Sequence, residues 1–126
     1  MSGDKARQKG FTLLELLVVL LIVGLIAALA TPNVTASIKR AKEAALAENL
    51  AVMRRAIDDY YGDKGSYPAE LEALVTERYL RFIPDDPFHD AKAAWAVVEG
   101  SGDNGIEDIH SFSQEVGRNG EPYNEW

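Results

Sequence analysis

The chain has 126 residues, no cysteine and a formal net charge of −7. Its length allows one small domain beside a long terminal helix, and the absence of cysteine excludes a disulfide within it. The charge is uneven, because residues 82–126 carry ten acidic side chains against Lys92 and Arg118, whereas residues 31–81 are neutral. Such an acidic end argues against a nucleic-acid interface and favours a solvated surface or a cation site.

A short basic leader followed by a long apolar run is the first feature in chain order. Residues 11–30 are 20 consecutive positions at which only Thr12 and Glu15 have polar side chains. A helix of this length extends about 30 Å, which is enough to cross the hydrocarbon core of a bilayer. A carboxylate inside such a run is costly and usually marks function. The run therefore predicts a membrane helix in which Glu15 has a specific role.

These residues resemble the N-terminus of type IV pilins and of the pseudopilins of type II secretion. The resemblance rests on the sequence G-F-T-L-L-E from Gly10 to Glu15, between the basic leader and the apolar run. In that family a prepilin peptidase cuts after the glycine and methylates the new N-terminus. The resemblance therefore implies cleavage between Gly10 and Phe11 and a role for Glu15 in assembly.

Two other interpretations of the N-terminus stay open. Ala28, Leu29 and Ala30 have the A-x-A form of an ordinary secretory cleavage site, which would release a soluble binding domain beginning at Thr31. Alternatively, the run is an uncleaved membrane anchor in which Glu15 is protonated or reaches the membrane surface. The leader contains three basic residues and one acidic residue, which favours a cytoplasmic leader and a head outside the cytoplasm.

Gly24 and Pro32 interrupt an otherwise strong helical pattern. Pro32 lacks a backbone donor and crowds the carbonyl of Ala28, which predicts a kink or break of the helix near these residues. Beyond Pro32, apolar residues recur at steps of three and four, which predicts an amphipathic helix that Gly62 and Gly65 end. The members of this apolar stripe are Leu46, Leu50, Met53, Ile57 and Tyr60.

Short elements follow the long helix. Residues 70–76 have the apolar spacing of a second helix. Residues 93–99 and 108–112 predict two strands, and Asn104 and Gly105 between them predict a tight turn. The C-terminal part is therefore expected to contain a small antiparallel sheet.

The resemblance implies an α+β, pilin-like fold, in which a long N-terminal α-helix packs on a small C-terminal antiparallel β-sheet. It divides the chain into a prepilin leader at 1–10, a transmembrane and filament-core helix at 11–31, and a periplasmic head at 32–126. The head includes the amphipathic half of the helix. The triplet Asp86–Pro87–Phe88 before the first predicted strand matches the major pseudopilin of type II secretion. The absence of cysteine favours a pseudopilin over pilins that close their C-terminal region with a disulfide.

Residues 113–126 predict an ordered loop, and the resemblance implies a calcium ion there. The major pseudopilin binds calcium after its last strand, through aspartates and backbone carbonyls, but this loop is shorter and lacks those aspartates. The oxygen donors present are Glu115, Asn119, Glu121 and Asn124. Carbonyls and water could complete the six to eight oxygens that calcium takes. The alternative is a loop held by hydrogen bonds and by packing of Tyr123 and Trp126.

The sequence contains no catalytic constellation, so we expect a structural protein and not an enzyme. His89 and His110 are the only histidines, and no nucleophile elbow, phosphate-binding loop or zinc-type spacing is present. A membrane-anchored enzyme is correspondingly disfavoured.

The resemblance implies a subunit of a type II secretion pseudopilus, which is a helical homo-oligomeric filament that drives protein secretion. Its implied location is the inner membrane, with a single pass and the head in the periplasm. The implied partners are the prepilin peptidase, the inner-membrane assembly platform with its ATPase, the minor pseudopilins and the membrane, without nucleic acid. A type IV pilus subunit for adhesion or motility is the alternative within the family.

Overall fold

A computed structural model describes residues 2–102 and 105–126, with side chains described from Thr12 onward. Contacts divide the chain into two compact units, Met1–Lys39 and Arg40–Trp126. The predicted α+β class is confirmed. The elements are helices α1 (Ser2–Lys64) and α2 (Glu72–Thr76), strands β1 (Ala96–Glu99) and β2 (Ile106–His110), and a 3-10 turn at Tyr123–Glu125.

The long helix α1 continues through both residues at which a break was predicted. The prediction was a kink or a break. Gly24 and Pro32 lie inside the helix, so it does not break there in the single chain, and the kink stays a prediction. Proline removes one backbone hydrogen bond, at a cost of about 3 kcal/mol, and the helix-forming residues on both sides of it outweigh that loss. In addition, the hydroxyl groups of Thr31 and Thr35 donate to carbonyls one turn earlier, at 2.9 and 3.1 Å.

α1 ends at Lys64 because the next residue, Gly65, has a left-handed backbone with a φ of 74°. The N–H of Gly65 donates to the carbonyl of Tyr61 across 2.8 Å and closes the last turn. Gly62 lies inside the helix, so it does not help to end it as predicted. The second predicted helix is confirmed as α2, which begins at Glu72.

β1 and β2 form a two-stranded antiparallel sheet in which Val97 pairs with Ile109. β1 begins later than residue 93, where the predicted strand began. The reason is local, because Ala93 has a left-handed φ of 51° and its N–H donates to Asp85 Oδ1 across 2.7 Å. A left-handed residue cannot continue a strand.

β2 begins and ends earlier than the predicted strand at 108–112. A register shift between Val98 and Glu99 changes which side chains of β2 face the core. The shift allows both Ile106 and Ile109 to face the core, although they are three positions apart. The predicted tight turn involves Asn104, which lies outside the described residues together with residue 103.

The core of the second unit forms around the predicted apolar stripe of α1, which is confirmed. Leu46 and Met53 are completely buried, and Ile57 is 1% exposed. Residues from α2, the sheet and the C-terminal loop cover this stripe, so the head is organised around one face of α1. The other core members are Leu50, Ala56, Leu71, Leu74, Trp95, Ile106, Ile109 and Tyr123.

Candidate assembly segment and C-terminal loop

The N-terminal part of α1 has an unbroken apolar surface. Every large apolar side chain from Leu13 to Leu29 is exposed, with fractions between 45% at Val18 and 75% at Leu29. By length and composition, this is the one helix among the described residues that could cross a membrane. Contiguous apolar surface of this size is unfavourable in water. The segment is therefore suited to lipid or to the apolar helices of other molecules.

Glu15 is a carboxylate at an exposed position of this apolar segment. Among the residues described from Thr12 onward, it forms no ion pair. Gly10 and Phe11, the predicted cleavage pair, lie outside the residues whose side chains are described. An ionised carboxylate without a partner is costly in apolar surroundings, which agrees with the expectation that Glu15 has a specific role.

In the second unit, Glu43 on α1 is a buried carboxylate that binds the C-terminal loop. It is 5% exposed, and its Oε2 accepts a hydrogen bond from Arg118 Nε across 2.7 Å. Its Oε1 accepts from the Arg118 N–H at 3.0 Å and from the Tyr123 hydroxyl at 2.8 Å. Burial opposes ionisation, but these hydrogen bonds and the charge of Arg118 outweigh it and lower the pKa of Glu43 to about 2. The ionised carboxylate therefore holds two points of the loop against α1.

Arg54 is a second attachment between α1 and the C-terminal residues. Its Nε donates to Asp108 Oδ1 across 2.8 Å, and its Nη2 donates to the carbonyls of Ile109 and Trp126 at 3.0 and 2.7 Å. His110 Nδ1 lies 3.0 Å from the same Trp126 oxygen. One guanidinium thus joins α1 to both β2 and the last residue of the described chain.

Glu43 and Arg54 hold the C-terminal loop at two levels of α1. They are separated by about three helical turns, or about 16 Å, so their side chains lie on nearly the same face. Between these levels Tyr123 is completely buried, and its ring meets Trp126 edge to face with centroids 5.1 Å apart. Burial and the bond to Glu43 raise the pKa of Tyr123 to about 12, so its hydroxyl remains a donor.

The C-terminal loop is also closed by its own backbone. Its hydrogen bonds join Gly117 N–H to Glu121 O, Tyr123 N–H to Glu115 O and Asn124 N–H to Ser113 O, at 2.8 to 2.9 Å. A Cβ on Gly117 would lie 2.7 Å from Trp126 Cζ2, so only glycine allows the ring to approach. The loop is therefore a packed element with defined internal contacts.

The four predicted calcium ligands all belong to this loop, and calcium binding there stays a prediction. Glu115 and Glu121 are exposed, and Asn119 Oδ1 already accepts the N–H of Glu121 at 3.0 Å. Asn124 Oδ1 is buried and has no partner among the described atoms, but calcium requires six to eight oxygens. Within residues 12–102 and 105–126, no three acidic or histidine side chains form a group that could hold a metal. The carbonyls of Glu115 and Glu121 are also engaged by backbone donors.

The Asp86–Pro87–Phe88 triplet forms a junction next to the loop. Asp86 is 1% exposed, and its two carboxylate oxygens accept from the Ser111 hydroxyl and from the Phe88 N–H. The Phe88 ring stacks on Tyr123 with centroids 3.9 Å apart. The triplet therefore links the segment before β1 to the end of β2 and to the loop.

Glu43 and Arg54 are not among the site residues predicted from the sequence. Glu43 lies three positions before Leu46, at the spacing that continues the apolar stripe. A charged residue at a stripe position was the available signal. Arg54, four positions after Leu50 and three before Ile57, has the same spacing and therefore the same signal.

A comparison with protein families finds one match in the N-terminal region. Residues 5–31 match the family model described as the prokaryotic N-terminal methylation motif. The match covers most of the basic leader, both residues of the predicted cleavage pair and the exposed apolar part of α1. No solved structure matches the chain.

Relatives are similar over most of the chain. The type II secretion system core protein G of Pectobacterium carotovorum subsp. carotovorum is 34% identical over 98 residues, which cover 65% of this chain and 63% of the relative. The protein of the same name from Aeromonas hydrophila is 32% identical over 101 residues, which cover 68% and 71%. The fimbrial protein EcpC of Eikenella corrodens is 31% identical over 107 residues, which cover 81% and 61%. The chain thus spans slightly less than two thirds of the first and third relatives.

Proposed function

The chain belongs to the family of type II secretion system core protein G, the major pseudopilins, and we propose that it is the major subunit of a pseudopilus. The observation that carries the proposal is the methylation motif at residues 5–31, which coincides with the exposed apolar part of α1. A processed helix with an apolar surface is suited to wait in a membrane and then pack against copies of itself.

Processing divides the chain into three functional parts in this proposal. Prepilin peptidase removes the leader, residues 1–10, by cutting after Gly10, and then methylates the amine of Phe11. Residues 11–31 anchor the subunit in the inner membrane with a single pass and later form the filament core. Residues 32–126 form the head in the periplasm.

Assembly depends on Glu15 in this proposal. At 1.5 Å per residue, Glu15 lies about 6 Å along the helix axis from Phe11, whose amine becomes a cation after cleavage. The Phe11 amine of a neighbouring subunit supplies the partner that Glu15 lacks among the described residues. Because a charge pair is strongly favoured over two single charges at low dielectric, the pair selects the axial position of the incoming subunit.

In this proposal, the helix opens near Gly24 and Pro32 when the subunit enters the filament. Pro32 leaves the carbonyl of Ala28 without its usual backbone donor, which makes this turn the weakest part of the apolar segment. Packing against neighbouring helices can satisfy the freed groups when the helix opens. The opening would then accompany assembly.

The head is held together by protein contacts in this proposal, without a bound metal. Glu43 and Arg54 hold residues 113–126 against α1. The other partners are the minor pseudopilins and the inner-membrane assembly platform. The platform and its ATPase extract the subunit from the membrane. The protein is a structural subunit and not an enzyme.

A type IV pilus subunit is the second candidate function. The specific observation in its favour is the similarity to fimbrial protein EcpC, which covers 81% of this chain. Deletion of the gene in its own host separates the two functions. Loss of exoprotein secretion with normal surface pili supports the pseudopilus, whereas loss of surface pili with normal secretion supports the pilus. A deletion strain that is normal in both respects contradicts both.

A further inference from the structure

A cavity of about 300 Å³ lies where the C-terminal end of α1 meets the sheet. Its walls include Tyr61, Tyr67 and Glu107, and the hydroxyl-bearing residues Ser66 and Ser101. The rings of Tyr61 and Tyr67 stack with centroids 4.4 Å apart and an angle of 27° between their planes. The cavity therefore combines a paired aromatic wall with a carboxylate.

Close backbone packing builds this cavity. A Cβ on Gly105 would lie 2.6 Å from Tyr67 Cβ and 2.7 Å from Tyr67 O, so only glycine allows this approach. Next to it, the N–H of Ile106 donates to the carbonyl of Pro68 across 2.8 Å. A Cβ on Gly100 would come within 3.4 Å of Glu107 Oε2. The start of β2 is thus fixed directly against the segment that follows α1.

The register shift in the sheet places Glu107 in the cavity wall. Val98 pairs with Asp108 and Glu99 pairs with Ile106, which leaves Glu107 as the extra residue of a bulge. Glu107 is exposed and has no ion-pair partner among the described residues. The carboxylate is therefore available to a cation from outside the head.

The surroundings of Tyr67 also favour a cation. Burial raises the pKa of Tyr67, and the nearby Glu107, Tyr61 and Asp58 raise it further because they disfavour another negative charge. A guanidinium satisfies both features of the cavity, because it pairs with a carboxylate and stacks on an aromatic face. An arginine side chain of a partner is the chemistry that fits.

Copies of this chain carry such a side chain at the other end of the head. Arg40 is exposed and forms no ion pair within the described residues. It lies about 31 Å from Tyr61 along α1, at 1.5 Å per residue. By contrast, Arg55 precedes Tyr61 by less than two turns and lies at the same end of the head as the cavity. Arg40 is thus placed to reach the cavity of a copy that is displaced along the helix axis.

We propose that the cavity receives the Arg40 side chain of a second copy of this chain. The inference rests on the proposed function, because a filament repeats parallel subunits along one axis through contacts between two different patches. Parallel copies displaced by about the length of the head bring Arg40 of one next to Glu107 of the other. The contact then joins the Arg40 end of one head to the cavity end of the next head.

Charge reversal in the full-length chain tests this contact. Arg40→Glu and Glu107→Arg each place like charges together, and we expect each to lower the yield of sheared filaments, relative to membrane-bound subunit, about tenfold or more. The double variant restores an opposite-charge pair, and its yield should return to within about twofold of wild type. Lys92→Glu makes the same charge change at another exposed position, and its yield should remain at the wild-type level.

The outcomes test the contact and the proposed function separately. Wild-type yield from both single variants overturns the contact. Low yield from Arg40→Glu that Glu107→Arg does not restore also overturns it, and assigns Arg40 to another partner such as anionic lipid headgroups. If the wild-type chain forms no filament with its assembly machinery present, the proposed function fails and the contact fails with it. Filaments from the wild type with unaffected single variants leave the function standing and remove the contact alone.

Discussion

The carboxylate of Glu43 and the guanidinium of Arg118 meet across 2.7 Å, although 75 positions separate the two residues. The Glu43 side chain is 6% exposed, whereas the Arg118 side chain is 51% exposed, so the pair lies at the edge of the core. Water weakens the attraction on the arginine side, and the stabilising effect depends mainly on the hydrogen bonds of the buried carboxylate. Through this pair, the end of the chain is joined to the helix that carries the subunit into a filament.

The variant Glu43→Gln should destabilise the head. It preserves the size of the side chain but removes the charged acceptor of Arg118 and Tyr123, so we expect a loss of about 1–3 kcal/mol in the free energy of unfolding. Thermal unfolding of the full-length chain in detergent micelles measures it. Glu48→Gln is the matched control, because Glu48 is an exposed carboxylate on the same helix, and it should change stability by less than about 0.5 kcal/mol. Equal melting of the two variants would contradict a role for the Glu43 contacts.

The contribution of Glu43 should disappear in acid. Its pKa in the folded chain is about 2, below the ordinary value of 4.5, so the unfolded chain takes up the proton first as the pH falls. The ionised carboxylate therefore stabilises the fold fully above about pH 4.5 and loses this effect progressively toward pH 2. The stability difference between wild type and Glu43→Gln should shrink over the same range. A difference that stays constant from pH 6 to pH 2.5 would be incompatible with this assignment.

Calcium should not change the stability of the wild-type head. An ion that binds the folded state alone raises the melting temperature with concentration, whereas the proposed head is held together by protein contacts without such an ion. We expect the same melting temperature in millimolar calcium and in chelator, with magnesium as the control for ionic strength. A rise that calcium causes and magnesium does not would restore Glu115 and Glu121 as ligands.

Substitution of Glu15 should separate membrane insertion from assembly. Glu15→Ala and Glu15→Lys leave the apolar segment long enough to span a membrane, but remove the partner proposed for the Phe11 amine. We expect normal amounts of membrane-bound subunit and a strong fall in sheared filaments for both variants. Glu15→Asp should be intermediate, because the charge remains and its reach is shorter. Wild-type filament yield from Glu15→Ala would show that the carboxylate is only tolerated.

The spacing of neighbouring residues predicted those helices and strands that depend on neighbouring residues alone. The three-and-four spacing of Leu46, Leu50 and Met53 predicted the buried face of α1, because one helix must bury its apolar side against the rest of a small domain. The order of the strands and the end of β1 at Glu99 were predicted correctly, whereas the start of β1 and both ends of β2 were not. Ala93 has a left-handed backbone that its residue type does not suggest, and the bulge at Glu107 depends on pairing with β1.

Local sequence patterns could not predict the contacts between residues that are far apart in the chain. Arg54 binds Asp108, Ile109 and Trp126, which lie 54 to 72 positions away in the sequence. Such contacts depend on which side chains the completed fold brings together. Pro32 does not break the helix in the single chain, since one lost hydrogen bond is outweighed by the cooperative helix around it.

The intact mass and N-terminal sequence of the mature protein show whether prepilin peptidase processes this chain. Purified from the membrane of a host with prepilin peptidase, the protein should begin at Phe11 and carry one added methyl group. The control is Gly10→Val, which should accumulate as the uncut precursor, because a larger side chain before the cut hinders the peptidase. A mature N-terminus at Thr31, or an uncut chain in the presence of active peptidase, would rule out processing as a prepilin.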